Sequence, residues 1–152
     1  MKTAYIKERK TMKYQLDNKI SYEDYNALRT AVKWKEISKR QYEAGLKNTH
    51  YTAVIKDKGT AVGLAKALGD MGYYFLLVDV IVHPDYQGQG LGRVLIENFL
   101  KFVDDSAVSG ENVFISLLSA KGKEAFYEKF GFKTRPYGER YGAGMSIHYT
   151  KE

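Results

Sequence analysis

Glycine recurs at every second position in Gln87-Gly88-Gln89-Gly90-Leu91-Gly92, and an apolar helical pattern starts inside that run. The first amides of a helix have no internal partners, and the macrodipole makes that end positive. Glycines leave the backbone uncovered, so an oxyanion can approach those amides closely. The amides of residues 88–93 are therefore suited to cradle a pyrophosphate, with Arg93 adding charge from the first helical turn. Two standard phosphate loops do not fit. A Walker A loop ends in Gly-Lys-Ser/Thr, whereas Gly92 precedes Arg93-Val94. A dinucleotide fingerprint needs Gly-x-Gly-x-x-Gly, and Gly88-x-Gly90-x-Gly92 has a different spacing. The plain alternative is a glycine-rich turn with no ligand. Against it, three alternating glycines weaken a helix start unless the exposed backbone is used.

A second candidate lies just upstream. Asp79 is the single charge in the ten residues Tyr73–Val82. An unpaired carboxylate in an apolar strand is costly, so Asp79 should be paired, shifted in pKa, or placed at an opening.

Other chemistries are excluded by residue type. The 152 residues contain no Cys, which removes disulfides, thiol nucleophiles and Cys-ligated metals. The three His (His50, His83, His148) are far apart and form no metal pattern, so no metal site is expected. The longest uncharged apolar run, Tyr73–Val78, is far below the ~20 residues of a membrane span. No secretion signal is legible, and the expectation is a cytoplasmic protein without a membrane. The formal charge of +6 favours a polyanionic partner: nucleic acid, anionic lipid or a phosphate-bearing cofactor.

The elements that must hold these residues follow from periodicity. The length suits one domain over 1–152, with residues 1–11 either a loose tail or, at Ala4–Ile6, an edge strand. Lys13–Asp17 reads as a strand. Ser21 and Ser38 each open a capping pattern, giving two short helices that flank Trp34. Tyr51–Lys56 and Ala61–Leu68 read as strands joined by Asp57-Lys58-Gly59. Tyr73–Val82 is apolar at consecutive positions, which predicts a central strand covered on both faces and ended by His83-Pro84. Leu91, Val94, Leu95, Phe99, Phe102 and Val103 mark an amphipathic helix, with Phe99 and Phe102 in the core. Val113–Leu118 is a strand, and Lys123–Phe130 a helix stopped by a left-handed Gly131. Phe132–Arg135 and Met145–Thr150 read as two last strands. This order predicts an α/β (α+β) fold, a mixed sheet with helices on both faces.

Two segments carry a family resemblance. Val80-Ile81-Val82-His83-Pro84-Asp85-Tyr86-Gln87-Gly88-Gln89-Gly90-Leu91-Gly92 resembles motif A of the GNAT N-acetyltransferase superfamily. Ala125-Phe126-Tyr127-Glu128-Lys129-Phe130-Gly131-Phe132 resembles its motif B. The resemblance covers nearly the whole chain and implies a mostly antiparallel, twisted sheet of about 6–7 strands with about four helices. It implies acetyl-CoA as donor and no metal. The pyrophosphate would lie on the amides of Gln87, Gly88, Gln89, Gly90, Leu91 and Gly92, and the pantetheine arm along Val80, Ile81 and Val82. Two departures stand out: Gln87 where the family often has Arg, and Ala120 where it often has Asn.

The resemblance also suggests roles. Tyr127 matches the family Tyr that protonates the departing thiolate, the alternative being a core Tyr. Asp79 is a candidate general base for the incoming ammonium, the alternative being a structural partner for Lys or Arg. His83 reads as a turn residue. Trp34 lies between the two helices that border the family's acceptor site and is the candidate substrate contact, with Tyr42, Tyr137 and Met145 near it; the alternative for each is core packing. The expected activity is direct transfer of acetyl from acetyl-CoA to a small-molecule or peptide primary amine, with no acyl-enzyme. The rivals are an acyl-CoA-binding regulatory module without turnover and a basic nucleic-acid-binding protein; no Lys/Arg-rich helix or nucleic-acid motif supports the second. A homodimer is compatible with the family.

Overall fold

The structure, a computed structural model, describes residues 4–8 and 11–146, with side chains from residue 13 onward. The chain forms two compact units, Met1–Ser116 and Leu117–Glu152.

The larger unit carries the sheet. Its strands are β1 (Ala4–Glu8), β2 (Thr11–Asp17), β3 (Tyr51–Asp57), β4 (Thr60–Gly69), β5 (Tyr74–Val82) and β6 (Phe114–Leu117). They lie side by side in sequence order, and the pairs from β1 to β5 are antiparallel. The sequence-ordered, six-stranded sheet agrees with the expected fold class. Residues 4–8 are the edge strand rather than a tail, because β1 pairs with β2 along its length.

Helices α1 (Tyr22–Ala31) and α2 (Lys39–Lys47) start where their caps predict. Ser21 Oγ accepts from the Asp24 amide at 3.0 Å. Ser38 and Gln41 form the full reciprocal box, with bonds of 3.2 and 2.9 Å. Helix α3 (Leu91–Ser106) buries Leu91, Leu95, Phe99 and Val103 of the stripe that its periodicity marks out; Val94 and Phe102 are only half-buried, and Ile96 joins the core.

Adjacent strand residues point to opposite faces, and the contacts follow that rule. Val54 and Leu64 join Tyr25 and Leu28 of α1 in one core cluster. Ile55 and Gly63, one residue on in β3 and one back in β4, face the other side. A Cβ on Gly63 would lie 3.3 Å from Ile55 and 3.5 Å from Leu95 of α3, so the glycine lets β4 and α3 pack closely here. Tyr51 meets the rings of Phe99 and Phe102 there.

Strand β5 breaks the rule at one point. Phe75 packs against Phe102 on the α3 side, yet Ile81 belongs to the α1-side cluster. Residues six apart in an unbroken strand share a face. The register explains the switch: Val78 pairs with Lys66 but Ile81 with Leu64, so β5 holds one extra residue there. Asp79 sits in that bulge with φ of +51°, a left-handed conformation that Asp tolerates better than most residues.

The bulge corrects the expectation for this strand. Its continuous apolar run comes from a change of phase, not from cover on both faces. β5 is next to the edge strand, and Tyr74 and Leu76 are exposed. Helix α1, at ~1.5 Å per residue, spans only about 15 Å and packs at the other end of β5.

The smaller unit holds α4 (Glu124–Glu128), followed by Gly131 with φ of +90° as expected. The expected strand Phe132–Arg135 does not form. Pro136 next to it cannot donate to a ladder, and the Arg135 side chain donates through Nε to Gly142 O at 2.7 Å. A single antiparallel bridge joins Tyr137 to Tyr141. Of the expected strand Met145–Thr150, residues 147–150 lie outside the described residues. Among the described residues no helix is long and apolar enough to cross a membrane, and no cluster of His, Asp and Glu could hold a metal.

Candidate active site

The free end of β5 is the first part of the site. The His83 amide donates to Val62 O at 2.9 Å, and Val82 pairs with Gly63. In an antiparallel ladder this makes Val82–Gly63 a non-hydrogen-bonded pair, so the Val82 N–H and C=O point away from β4. β6 does not reach them. It meets the chain just before β5, at Tyr73, whose carbonyl accepts from the Phe114 amide at 2.7 Å. Its four residues extend about 13 Å, whereas Val82 is about 30 Å along the strand from Tyr73. Val80–Val82 thus turn a strand edge away from β4, on which the Val82 carbonyl accepts from Gln87.

His83 and Pro84 then turn the chain. His83 Nδ1 accepts from the Asp85 amide at 3.2 Å and caps a single 3-10 turn, the turn role expected of it. Gln87 turns back, its Nε2 donating to Val82 O at 3.0 Å.

The glycine loop follows. Gly88 has φ of +76° and Gly90 of +82°, both left-handed. Gly90 is the N-cap of α3, and no side chain caps that helix start. A Cβ on either glycine would meet nothing within 4 Å, so the space beside the loop is open. Gly88 and Gly90 lead into the turn Leu91-Gly92-Arg93, which no side chain caps, a geometry open to an anion. Leu91 is different: its side chain is buried and anchors the helix, so only its amide can serve a ligand. Arg93 is exposed and bonds Glu97 at 3.1 Å within its own helix. The loop is tied down on both sides of Gly88. Tyr86 donates to Asp57 Oδ2 at 3.0 Å, and Gln89 Oε1 accepts from Tyr14 at 2.5 Å.

Asp79 is paired. Its Oδ2 accepts from the Tyr25 hydroxyl at 2.5 Å and from Lys66 Nζ at 3.2 Å, and its Oδ1 faces Arg29 at 3.6 Å. The side chain is 15% exposed, so these contacts replace most of its water. Burial and the adjacent carboxylate push the Tyr25 phenol well above its usual value, keeping it a donor. Sequence reading isolated Asp79 but none of its partners, which come from α1 and β4.

Beside this network a cleft of about 130 Å³ opens, lined by Ile20, Tyr25, Ile37, Tyr42, Leu46 and Lys66 among others. Tyr42 donates to Ile20 O at 2.5 Å, and its ring lies 5.8 Å from that of Tyr25. Trp34 is not part of the lining. It is 38% exposed and stacks on the Arg29 guanidinium at 5.4 Å, so it buttresses a partner of Asp79. Tyr42, named beside it from the sequence, does line the cleft.

In the smaller unit Tyr127 lies on α4, edge-on to Phe126 at 5.0 Å and Phe132 at 6.1 Å. Burial raises its phenol above the usual value, so it stays protonated at neutral pH. Tyr137 stacks on Tyr141 at 4.7 Å, and Met145 is 94% exposed.

Comparison with known proteins matches this architecture. The model of the acetyltransferase (GNAT) domain family fits residues 48–134, which include the bulge, the glycine loop and α4. An uncharacterized N-acetyltransferase, ycf52, of Pyropia yezoensis is 31% identical over 130 residues, covering 82% of this chain and 72% of that protein. The histone acetyltransferase TAP1 of Glycine max is 30% identical over 126 residues, 76% of this chain and 53% of that protein. The chain thus spans between about half and three quarters of the length of these two relatives. A probable acetyltransferase of unknown function from meticillin-resistant Staphylococcus aureus superposes with a TM-score of 0.79 at 32% identity, covering 90% of this chain and 99% of the other. The strand end, the glycine loop and the family match converge: the chain belongs to the GNAT acetyltransferase family and is an N-acetyltransferase of that fold.

Proposed function

We propose that the protein transfers an acetyl group from acetyl-CoA to a primary amine by direct attack. One observation carries this reading: Gly88 and Gly90, both left-handed and open to solvent, lead into an uncapped helix next to the outward-facing Val82 backbone. That pairing of an open glycine loop with an outward-facing strand edge suits a ligand with a pyrophosphate at one end and an amide-bearing arm at the other.

The amine nitrogen attacks the thioester carbon. The C=O electrons move to oxygen, where the Val82 N–H supports the developing charge. The C–S bond then breaks, and Tyr127 gives its proton to the leaving thiolate. The amine loses its own proton to water or to Asp79. The engagement of Asp79 with Tyr25, Lys66 and Arg29 favours an anchoring role over that of base. With no Cys in the chain, no thiol can form an acyl-enzyme.

The acceptor is a small-molecule or peptide amine whose body is apolar or aromatic. The Tyr25, Tyr42, Ile20, Ile37 and Leu46 walls of the cleft support that choice. A panel of alkyl, aromatic and peptide amines, followed by release of free thiol from acetyl-CoA, tests the reading. Release above the background without amine is expected, greatest for apolar amines. CoA binding with no release for any amine would make this a binding module instead.

A further inference from the structure

The glycine loop must meet a doubly charged pyrophosphate, yet residues 87–93 contain one cation, Arg93, and it bonds Glu97 at 3.1 Å. Gln87 is neutral and its amide is turned toward Val82 O. A second cation comes to the loop from elsewhere in the chain. Lys13 of β2 places its Nζ 3.4 Å from Oε1 of Gln89, the residue between the two left-handed glycines. The same ammonium lies 5.0 Å over the ring of Tyr14. Tyr14 is fully buried, at 1% exposure, and donates to the same Gln89 oxygen.

The geometry points to Lys13 as a pyrophosphate-binding residue of the acetyl-CoA site, held at the loop by the Tyr14–Gln89 clamp. This rests on the acetyl-CoA reading above. The Lys13 side chain is exposed, and its ammonium already lies at Gln89, the residue between the two glycines whose flanks are open. Tyr14 is fixed, since its ring is buried and braced edge-on by Tyr86 at 6.1 Å. The clamp therefore fixes the loop while the lysine brings a positive charge to it. A cation from β2 thus serves a loop whose position 87 carries no charge.

The test is calorimetric titration of the full chain with CoA and with dephospho-CoA, which keeps the pyrophosphate and lacks the 3′-phosphate. Lys13→Gln is expected to weaken CoA about fivefold, the size of one solvent-exposed charge contact. The loss should be the same with dephospho-CoA, Lys13→Arg should recover most of it, and high salt should narrow the gap. Unchanged thermal stability of Lys13→Gln shows that the loop is intact. Equal affinity of wild type and Lys13→Gln overturns the assignment, as does a loss that vanishes with dephospho-CoA or that persists undiminished in high salt. A wild-type protein that binds neither ligand overturns the acetyl-CoA reading itself, and this assignment with it.

Discussion

The Tyr25 hydroxyl in α1 donates to Oδ2 of Asp79 at 2.5 Å, joining residues 54 apart in sequence at the bulge of β5. Lys66 of the neighbouring strand reaches the same oxygen, and Arg29 faces the other. The bulge turns Ile81 into the α1-side core, while the Val82–Gly63 register leaves the Val82 backbone facing away from β4. A carboxylate that ties α1 to β4 at this point holds both the strand end and the wall of the cleft.

Asp79→Asn keeps the shape and the tolerance for a left-handed backbone but removes the charge. It leaves Lys66 and Arg29 without their anion. A loss of about 2 kcal/mol in urea denaturation is expected, between that of an exposed and a fully buried pair. An unshifted pH–rate profile in the same variant would confine Asp79 to anchoring. A lost acidic limb would give it the proton.

Alkaline pH should strain the same network. The Tyr25 phenol is raised above its ordinary value of 10.0, and burial raises Tyr51 as well. A group whose folded pKa is the higher one stabilises fully below its unfolded pKa and ceases to do so as pH rises through the folded one. Stability should therefore decline from about pH 10 upward. Tyr25→Phe should cost about 1 kcal/mol at neutral pH and flatten that alkaline decline. A decline of unchanged steepness in the variant would contradict the assignment.

The legibility of these parts in the sequence differs for physical reasons. Capping and helical periodicity are local, so Ser38, Gln41 and the α3 stripe could be read directly. The glycine loop was legible because Gly88 and Gly90 occupy conformations that disfavour other residues. The Asp79 bulge was not, because an inserted residue looks like an uninterrupted apolar run. Nor was the cleft, whose wall is assembled from α1, α2 and β4. Phe132–Arg135 has strand composition, but Pro136 lacks the amide to continue a ladder, and the stretch stays a loop. Trp34 lies between the two helices as its position in the sequence indicates, but the cleft wall is built by Tyr42.

Tyr42→Ala removes a cleft wall and leaves the glycine loop alone. The KM for an apolar amine should rise about tenfold or more with little change in the KM for acetyl-CoA, as expected when a buried aromatic contact is lost. Steady-state kinetics with each substrate varied in turn separates the two. A change confined to the acetyl-CoA KM would remove the cleft from the acceptor site.

Tyr127→Phe deletes the proposed acid without deleting the ring. A fall in kcat of about 10²-fold, with CoA affinity nearly intact, is the expected result. Calorimetry with CoA beside turnover measures both, and an unchanged kcat would leave Tyr127 a packing residue.

The most direct test is amine-dependent release of free thiol from acetyl-CoA by wild type and Gly90→Val. A branched side chain at φ of +82° is strained and would fill open space beside the loop. Wild type should release thiol only when an amine is present, and the variant should need at least tenfold more acetyl-CoA for the same rate. Thiol release that ignores the amine, or an unchanged acetyl-CoA requirement in a folded Gly90→Val protein, would contradict the account.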